Sequence, residues 1–155
     1  MTEQTGYTPR GMYFEEFEVG YEVVSAARTI TETDVVNFAA LTGDWNQIHV
    51  NAEYAKETIF GQRVAHGLLG LSIASGLGAQ LGFIEETVLA FRSLEWKFSA
   101  PIFIGDTIHL KAKVKEKKEL KKLGGGSIIF DIRLLNQEGK TIQKGTWSVL
   151  VKSKA

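Results

Sequence analysis

A chain of 155 residues is long enough for one domain with its own core, and 18 lysines and arginines balance 18 aspartates and glutamates. Zero formal net charge leaves no general field to draw in nucleic acid or an acidic membrane surface, so no partner of either kind is expected. The lack of cysteine excludes disulfides, thiolate metal sites and a thiol nucleophile, and fits a reducing compartment.

The first twenty residues, MTEQTGYTPRGMYFEEFEVG, lack the cationic start and apolar run of a signal peptide. Residues 1–12 read as a flexible tail and 13–155 as one domain of a soluble, cytoplasmic protein. EVVSAARTI, from Glu22 to Ile30, reads as a strand. Thr31 then caps a helix, with Asp34 completing a capping box, and Gly43 is placed to end it after Val35, Val36, Phe38, Ala39 and Leu41. A short helix follows from Asn51.

In HGLLGLSIASGLGAQLG, His66 to Gly82, apolar residues fall on all sides of a helical wheel, the pattern of a buried helix. From Gly67 to Leu81 it would span about 22 Å, too short for a membrane, and polar residues interrupt it. Its glycines Gly67, Gly70, Gly76 and Gly78 weaken helix propensity by about 1 kcal/mol each. That cost makes sense if a sheet packs tightly against the backbone. The remaining sequence alternates as strands do. Leu94, Trp96 and Phe98 share one face up to Pro101, and Ile108, Leu110, Ala112 and Val114 alternate with His109 and lysines. Phe130, Ile132 and Leu134 follow, then Trp147, Val149 and Val151. Strands gathered after helices predict an α+β domain, one curved antiparallel sheet wrapped around one long helix.

The polar candidates gather in GDWNQIH, Gly43 to His49. Asp44 and His49 would lie about 140° apart on a continuous helix but can converge in a loop, where a carboxylate and an imidazole can hold a water and exchange its protons. The alternative is structural: Asp44 caps the turn at Asn46, and His49 is a satisfied residue at a helix start. Asn46 is expected to orient the loop. Gly67 and Leu68 open the buried helix, where amides without intrahelical partners favour a developing negative oxygen. His66 is a candidate cap for that helix. Ser75, two turns in, either bonds a carbonyl one turn back or reaches Asp44 across a pocket. His109 lies on the lysine face of its strand. KEKKELKK (115–122) reads as a solvated strand end and turn, with a phosphate grip as the alternative. Histidines at 49, 66 and 109 show no metal-binding spacing, so no metal is expected. Neither a Gly-x-Ser-x-Gly elbow nor a phosphate loop occurs.

The stretch LTGDWNQIHVNAEYAKETIFGQRVAHGLLGLSIASGL (41–77) resembles the hydratase signature of the MaoC-like dehydratases, the (R)-specific enoyl-CoA hydratases of the hot-dog fold. The family pattern runs Ser/Thr-Gly-Asp-x-Asn-Pro-Leu-His, followed after a spacer by a His-Gly that opens the central helix. Thr42, Gly43, Asp44, Asn46 and His49 match it, as do His66 and Gly67; Gln47 stands in place of the usual proline and Ile48 is a mild change. The resemblance implies Asp44 and His49 as catalytic pair, Gly67 as the amide facing the thioester carbonyl, and Ser75, Asn46 and His66 in support. It implies reversible hydration of a short- to medium-chain trans-2-enoyl-CoA, with acyl carrier protein as the alternative carrier. Coenzyme A would enter only as part of the substrate, with no other cofactor. A homodimer or higher homo-oligomer is implied, dimers joining their sheets edge to edge. Trp45, Phe60, Phe83 and Ile84 are candidate walls of the acyl pocket. A hot-dog thioesterase and a non-catalytic acyl-CoA-binding module are the rivals.

Overall fold

The computed structural model describes residues 6–155, so the first five residues of the expected tail lie outside the described residues. Residues 10–12 do not hang free. The Arg10 amide donates to Glu85 Oε2 (2.8 Å) and the Met12 amide to the Phe83 carbonyl (2.8 Å).

The expected first strand is broken in two, β1 (Glu22–Val24) and β2 (Arg28–Thr29). Ser25 is the cause. Its hydroxyl donates to the Ala26 carbonyl and accepts the Leu110 amide, both at 2.8 Å, so a side chain replaces a backbone rung and the chain kinks. Helix α1 (Glu32–Thr42) starts and ends as its sequence dictates. Thr31 accepts the Asp34 amide, Asp34 reaches back to the Thr31 amide, and Gly43 takes a left-handed φ of 80°. Such a cap stabilises by about 1 kcal/mol. Two short helices follow, α2 (Gln47–Val50) and α3 (Ala52–Lys56), the first of them not anticipated.

Helix α4 (Gly67–Gln80) lies against the sheet. Strands β4 (Thr107–Leu120), β5 (Gly125–Leu135) and β6 (Thr141–Lys152) form an antiparallel meander. Strand β3 (Val88–Phe98) pairs with β6 rather than β4, which gives the order β1-β4-β5-β6-β3, with β2 also on β4. Register puts Leu110, Leu134, Gln143 and Phe98 in one row across four strands. Val114, Phe130, Trp147 and Leu94 form another, and this face carries the buried core beneath α4. The outer face carries Lys111, Arg133, Lys144 and Lys97 in the corresponding row. Lys117, expected to be solvated, is half-buried: its ammonium donates to the Phe14 (3.0 Å) and Phe17 (2.6 Å) carbonyls and sits 4.5 Å from the Phe14 ring centre.

Tight packing does account for two of the four helix glycines, Gly67 and Gly70. A Cβ at Gly67 would lie 2.7 Å from the Phe98 ring, and one at Gly70 would lie 2.5 Å from both Gln143 Nε2 and Ile102 Cδ1. At Gly78 it would meet Leu110 and Trp147 at ordinary contact distance, whereas Gly76 faces open space. The expected pair of outcomes is therefore opposite in sign. Gly70→Ala should lower the denaturation free energy by about 1–3 kcal/mol through overpacking. Gly76→Ala should raise it by about 0.4–1 kcal/mol, because only chain entropy changes. Urea titration of both variants checks this.

Candidate active site

The loop after α1 is shaped by its own polar groups. Thr42 Oγ1 donates to the Phe38 carbonyl (2.7 Å) and accepts the Asp44 amide (3.2 Å). Asp44 Oδ1 accepts the Asn46 amide (3.3 Å), and Asn46 Oδ1 accepts the Ile48 amide (3.2 Å), capping α2. Asn46 thus does what the sequence suggested. His49 is carried on that extra helical turn rather than in open loop. The turn aims the imidazole back toward Asp44, and His49 Nε2 lies 3.9 Å from Asp44 Oδ2.

Two backbone carbonyls fix the neighbouring rings. His49 Nδ1 lies 2.7 Å from the Val64 carbonyl, which can only accept, so Nδ1 carries the proton and a neutral ring keeps its lone pair at Nε2. His66 Nε2 lies 2.9 Å from the Asp44 carbonyl and donates to it by the same reasoning. His66 is almost fully buried, at 2% exposure, and its ring stacks on His49 with centroids 3.8 Å apart. It does not cap α4 with its side chain, as the sequence had allowed; it holds the loop instead. Asp44 and His49 therefore do converge, and the separation of 3.9 Å is too long for a direct hydrogen bond and suits a water bridging both groups.

Asp44, His49 and His66 place potential ligand atoms within 4.8 Å of one another. The two rings are nearly parallel, 28° between planes, so their in-plane lone pairs do not converge as zinc ligands must. His49 Nδ1 and His66 Nε2 are also committed to carbonyls. The trio is better arranged for proton handling than for holding an ion.

Beside His49 opens a cavity of about 520 Å³, whose walls include His49, Gly67, Phe60, Val64, Leu68, Phe98, Ile102 and Gln143. Apolar walls with a few convergent polar groups are the usual composition of a small-molecule site. Gly67 opens α4 there, and among the described residues no acceptor meets its amide. The space beside the Gly67 α-carbon is taken by the Phe98 ring, so glycine is required at least as much by Phe98 as by any ligand.

Other expected members stand elsewhere. Ser75 donates to the Ser72 carbonyl (2.6 Å) on the exposed side of α4, and one chain does not bring it to Asp44. The structure distinguishes the proposed pocket walls too. Phe60 lines the cavity, Trp45 is exposed, Phe83 is buried against Phe17 and Phe130, and Ile84 packs against the core. His109 is half-buried on the outer face. Asp44 reaches the cavity through His49 and does not itself line it. Gln143 was missed. It shares the strand parity of Trp147, Val149 and Val151, and an amide on an otherwise apolar face is the signal that would have singled it out.

A family model for the MaoC like domain matches residues 16–127. Protein MaoC of Klebsiella aerogenes is 38% identical over 109 residues, which cover 70% of this chain and 32% of that protein. The (R)-specific enoyl-CoA hydratase of Rhodospirillum rubrum is 42% identical over 97 residues, covering 62% of this chain and 65% of the relative. The chain thus spans about a third of the first relative and less than two thirds of the second. Among solved structures, a monoamine oxidase regulatory protein from Archaeoglobus superposes with a TM-score of 0.89 at 36% identity, over 96% of this chain and 100% of that one.

The tautomer of His49 is directly testable. In its neutral form the ring should show a protonated Nδ1 and a bare Nε2 in ¹⁵N spectra of labelled histidine. A bare Nδ1 would contradict the Val64 hydrogen bond.

Proposed function

The chain belongs to the MaoC-like domain family, with the hot-dog fold, and from that premise we propose that it adds water reversibly to a trans-2-enoyl-CoA to give an (R)-3-hydroxyacyl-CoA. The observation that carries the reading is that one apolar cavity is lined by both His49, with Asp44 3.9 Å from its Nε2, and Gly67, whose amide meets no acceptor among the described residues. The thioester oxygen accepts the Gly67 amide, with the start of α4 behind it. As water adds at C3, negative charge moves onto that oxygen as an enolate, where the donor binds it more tightly than in the ground state. Asp44 and His49 hold the water between them. His49 Nε2, bare in the neutral ring, takes one proton of the water while its oxygen bonds to C3, and the Asp44 carboxylate favours the imidazolium that forms. The His49 imidazolium then returns a proton to C2 on the same face, which completes the addition and restores the neutral ring. Apolar walls such as Phe60, Leu68 and Ile102 keep bulk water from the enolate and strengthen each of these contacts.

A second copy of the chain fits the same reading. Strand β3 lies at the edge of the sheet and pairs with β6 alone among the described strands. Its Val88, Leu89, Phe91, Leu94 and Phe98 are 40–54% exposed. An exposed apolar edge strand is a site for pairing with another strand. We propose a homodimer joined there, with a solution mass about twice that of the chain. Leu94→Arg should reduce it to the mass of one chain in sedimentation; a dimer unaffected by that change would place the interface elsewhere.

Turnover of crotonyl-CoA tests the reaction. Wild type should consume the conjugated double bond and give (R)-3-hydroxybutyryl-CoA, while Asp44→Asn and His49→Ala should each lower kcat at least about a hundredfold. Near-normal kcat in either folded variant would reject the assignment. Release of free thiol without hydration would mean a thioesterase. Binding without turnover, indifferent to Asp44→Asn, would mean the binding module that the archaeal relative's regulatory name would favour.

A further inference from the structure

We propose that Gln143 is a positioning residue, fixing the first turn of α4 so that the Gly67 amide points into the cavity; this rests on the hydration reading above. Gln143 is 1% exposed and stands in a sheet row with Leu110, Leu134 and Phe98. An amide buried among such neighbours is unfavourable unless both its ends are satisfied. Both are. The Trp96 indole Nε1 donates to Gln143 Oε1 (2.9 Å), and Gln143 Nε2 donates to the Gly67 carbonyl (3.0 Å). An indole N–H can only donate and a carbonyl can only accept, so a flipped amide would face donor to donor and acceptor to acceptor. The chain Trp96→Gln143→Gly67 therefore has one direction, set by chemistry.

Helix α4 needs such a restraint. It opens on glycine, the residue with the widest choice of φ and ψ, and no side chain caps it. Left alone, that turn would fray and its free amides would sample many directions. Gln143 holds the turn from the sheet by the Gly67 carbonyl. The absent side chain of Gly70 gives Gln143 its place, since a Cβ there would lie 2.5 Å from Nε2. Donation to the Gly67 carbonyl also polarises the following peptide, which strengthens the positive potential at the helix start. Gln143 lines the same cavity as Gly67 and His49 but handles no proton of the reaction. Its effect passes through Gly67.

The test compares Gln143→Leu, Gln143→Glu and Trp96→Phe with wild type on crotonyl-CoA, with melting curves to establish folding. Gln143→Leu should lower kcat about tenfold to a hundredfold and leave KM within about threefold, since the lost contact matters most as charge develops. Gln143→Glu should recover most of that loss at the acid end of the pH profile, where a protonated carboxyl offers the same donor and acceptor. Trp96→Phe removes the indole N–H and should lower kcat about threefold to tenfold, which keeps the test available if Gln143→Leu does not fold. A kcat within about twofold of wild type in a folded Gln143→Leu, or a loss confined to KM, would overturn the proposal. A loss that Gln143→Glu does not recover at acid pH would do the same. Hydrogen exchange separates failure of positioning from failure of the hydration reading. If wild type does not hydrate crotonyl-CoA, faster exchange of the Gly70 amide, which closes the first turn on the His66 carbonyl (3.2 Å), in Gln143→Leu or Trp96→Phe still supports positioning, and unchanged exchange rejects it.

Discussion

The close seat of α4 on the sheet is the constraint on which the rest depends. Phe98 fills the place of a side chain at Gly67, and Gln143 and Ile102 fill it at Gly70. Any bulk at these two positions would lift the start of the helix away from β3 and β6, the strands that form one wall of the cavity. The glycines weaken the helix taken alone. They are tolerated because tertiary packing of the buried face, with Leu69, Ile73, Ala74 and Leu77 against the sheet, supplies most of the stability of such a helix. The seat also leaves a helix start unoccupied by any side-chain cap at the edge of an apolar space, where its amides have most to gain from an oxygen ligand.

The second half of the site is assembled by backbone carbonyls. Asp44 and His49 belong to a short excursion between α1 and α3, held to the rest of the chain by three contacts. His49 binds the Val64 carbonyl, His66 binds the Asp44 carbonyl, and the Val64 amide binds the Ile48 carbonyl at 3.2 Å. Residues 64–66 lead directly into α4 and are themselves tied to the strand region by the Ala65–Ile102 hydrogen bond of 2.8 Å. Asp44, His49 and the helix start are thus linked by one short hydrogen-bonded path. In the proposed reaction, proximity of this kind would let a general base and an electrostatic donor act on one substrate without further ordering at the moment of reaction.

Much of this was written locally in the sequence. Thr31, Asp34 and Gly43 bound α1 because capping chemistry is local, and strand parity correctly placed the inward residues of β4, β5 and β6. Asp44, Asn46, His49 and Gly67 were legible because one short signature holds them. What escaped depends on contacts distant in sequence. Nothing near Ser25 announces that its hydroxyl meets Leu110, 85 residues away, and breaks a strand. Gln143 lies 76 residues from Gly67. The parity of β6 marks it as inward, but its role appears only once helix and sheet are together. Ser75 takes the first of its two expected partners: its hydroxyl bonds the Ser72 carbonyl one turn back, as helix geometry favours, and does not reach Asp44.

The central claim is that one thioester is held with its oxygen at the Gly67 amide and its C3 before the Asp44–His49 pair. A crystal structure of Asp44→Asn with trans-2-enoyl-CoA bound addresses it most directly. The account predicts the thioester oxygen about 2.7–3.1 Å from the Gly67 nitrogen, the acyl chain in the cavity beside Phe60 and Ile102, and C3 facing His49 Nε2. An acyl chain bound outside that cavity, or a thioester oxygen turned away from the start of α4, would contradict it.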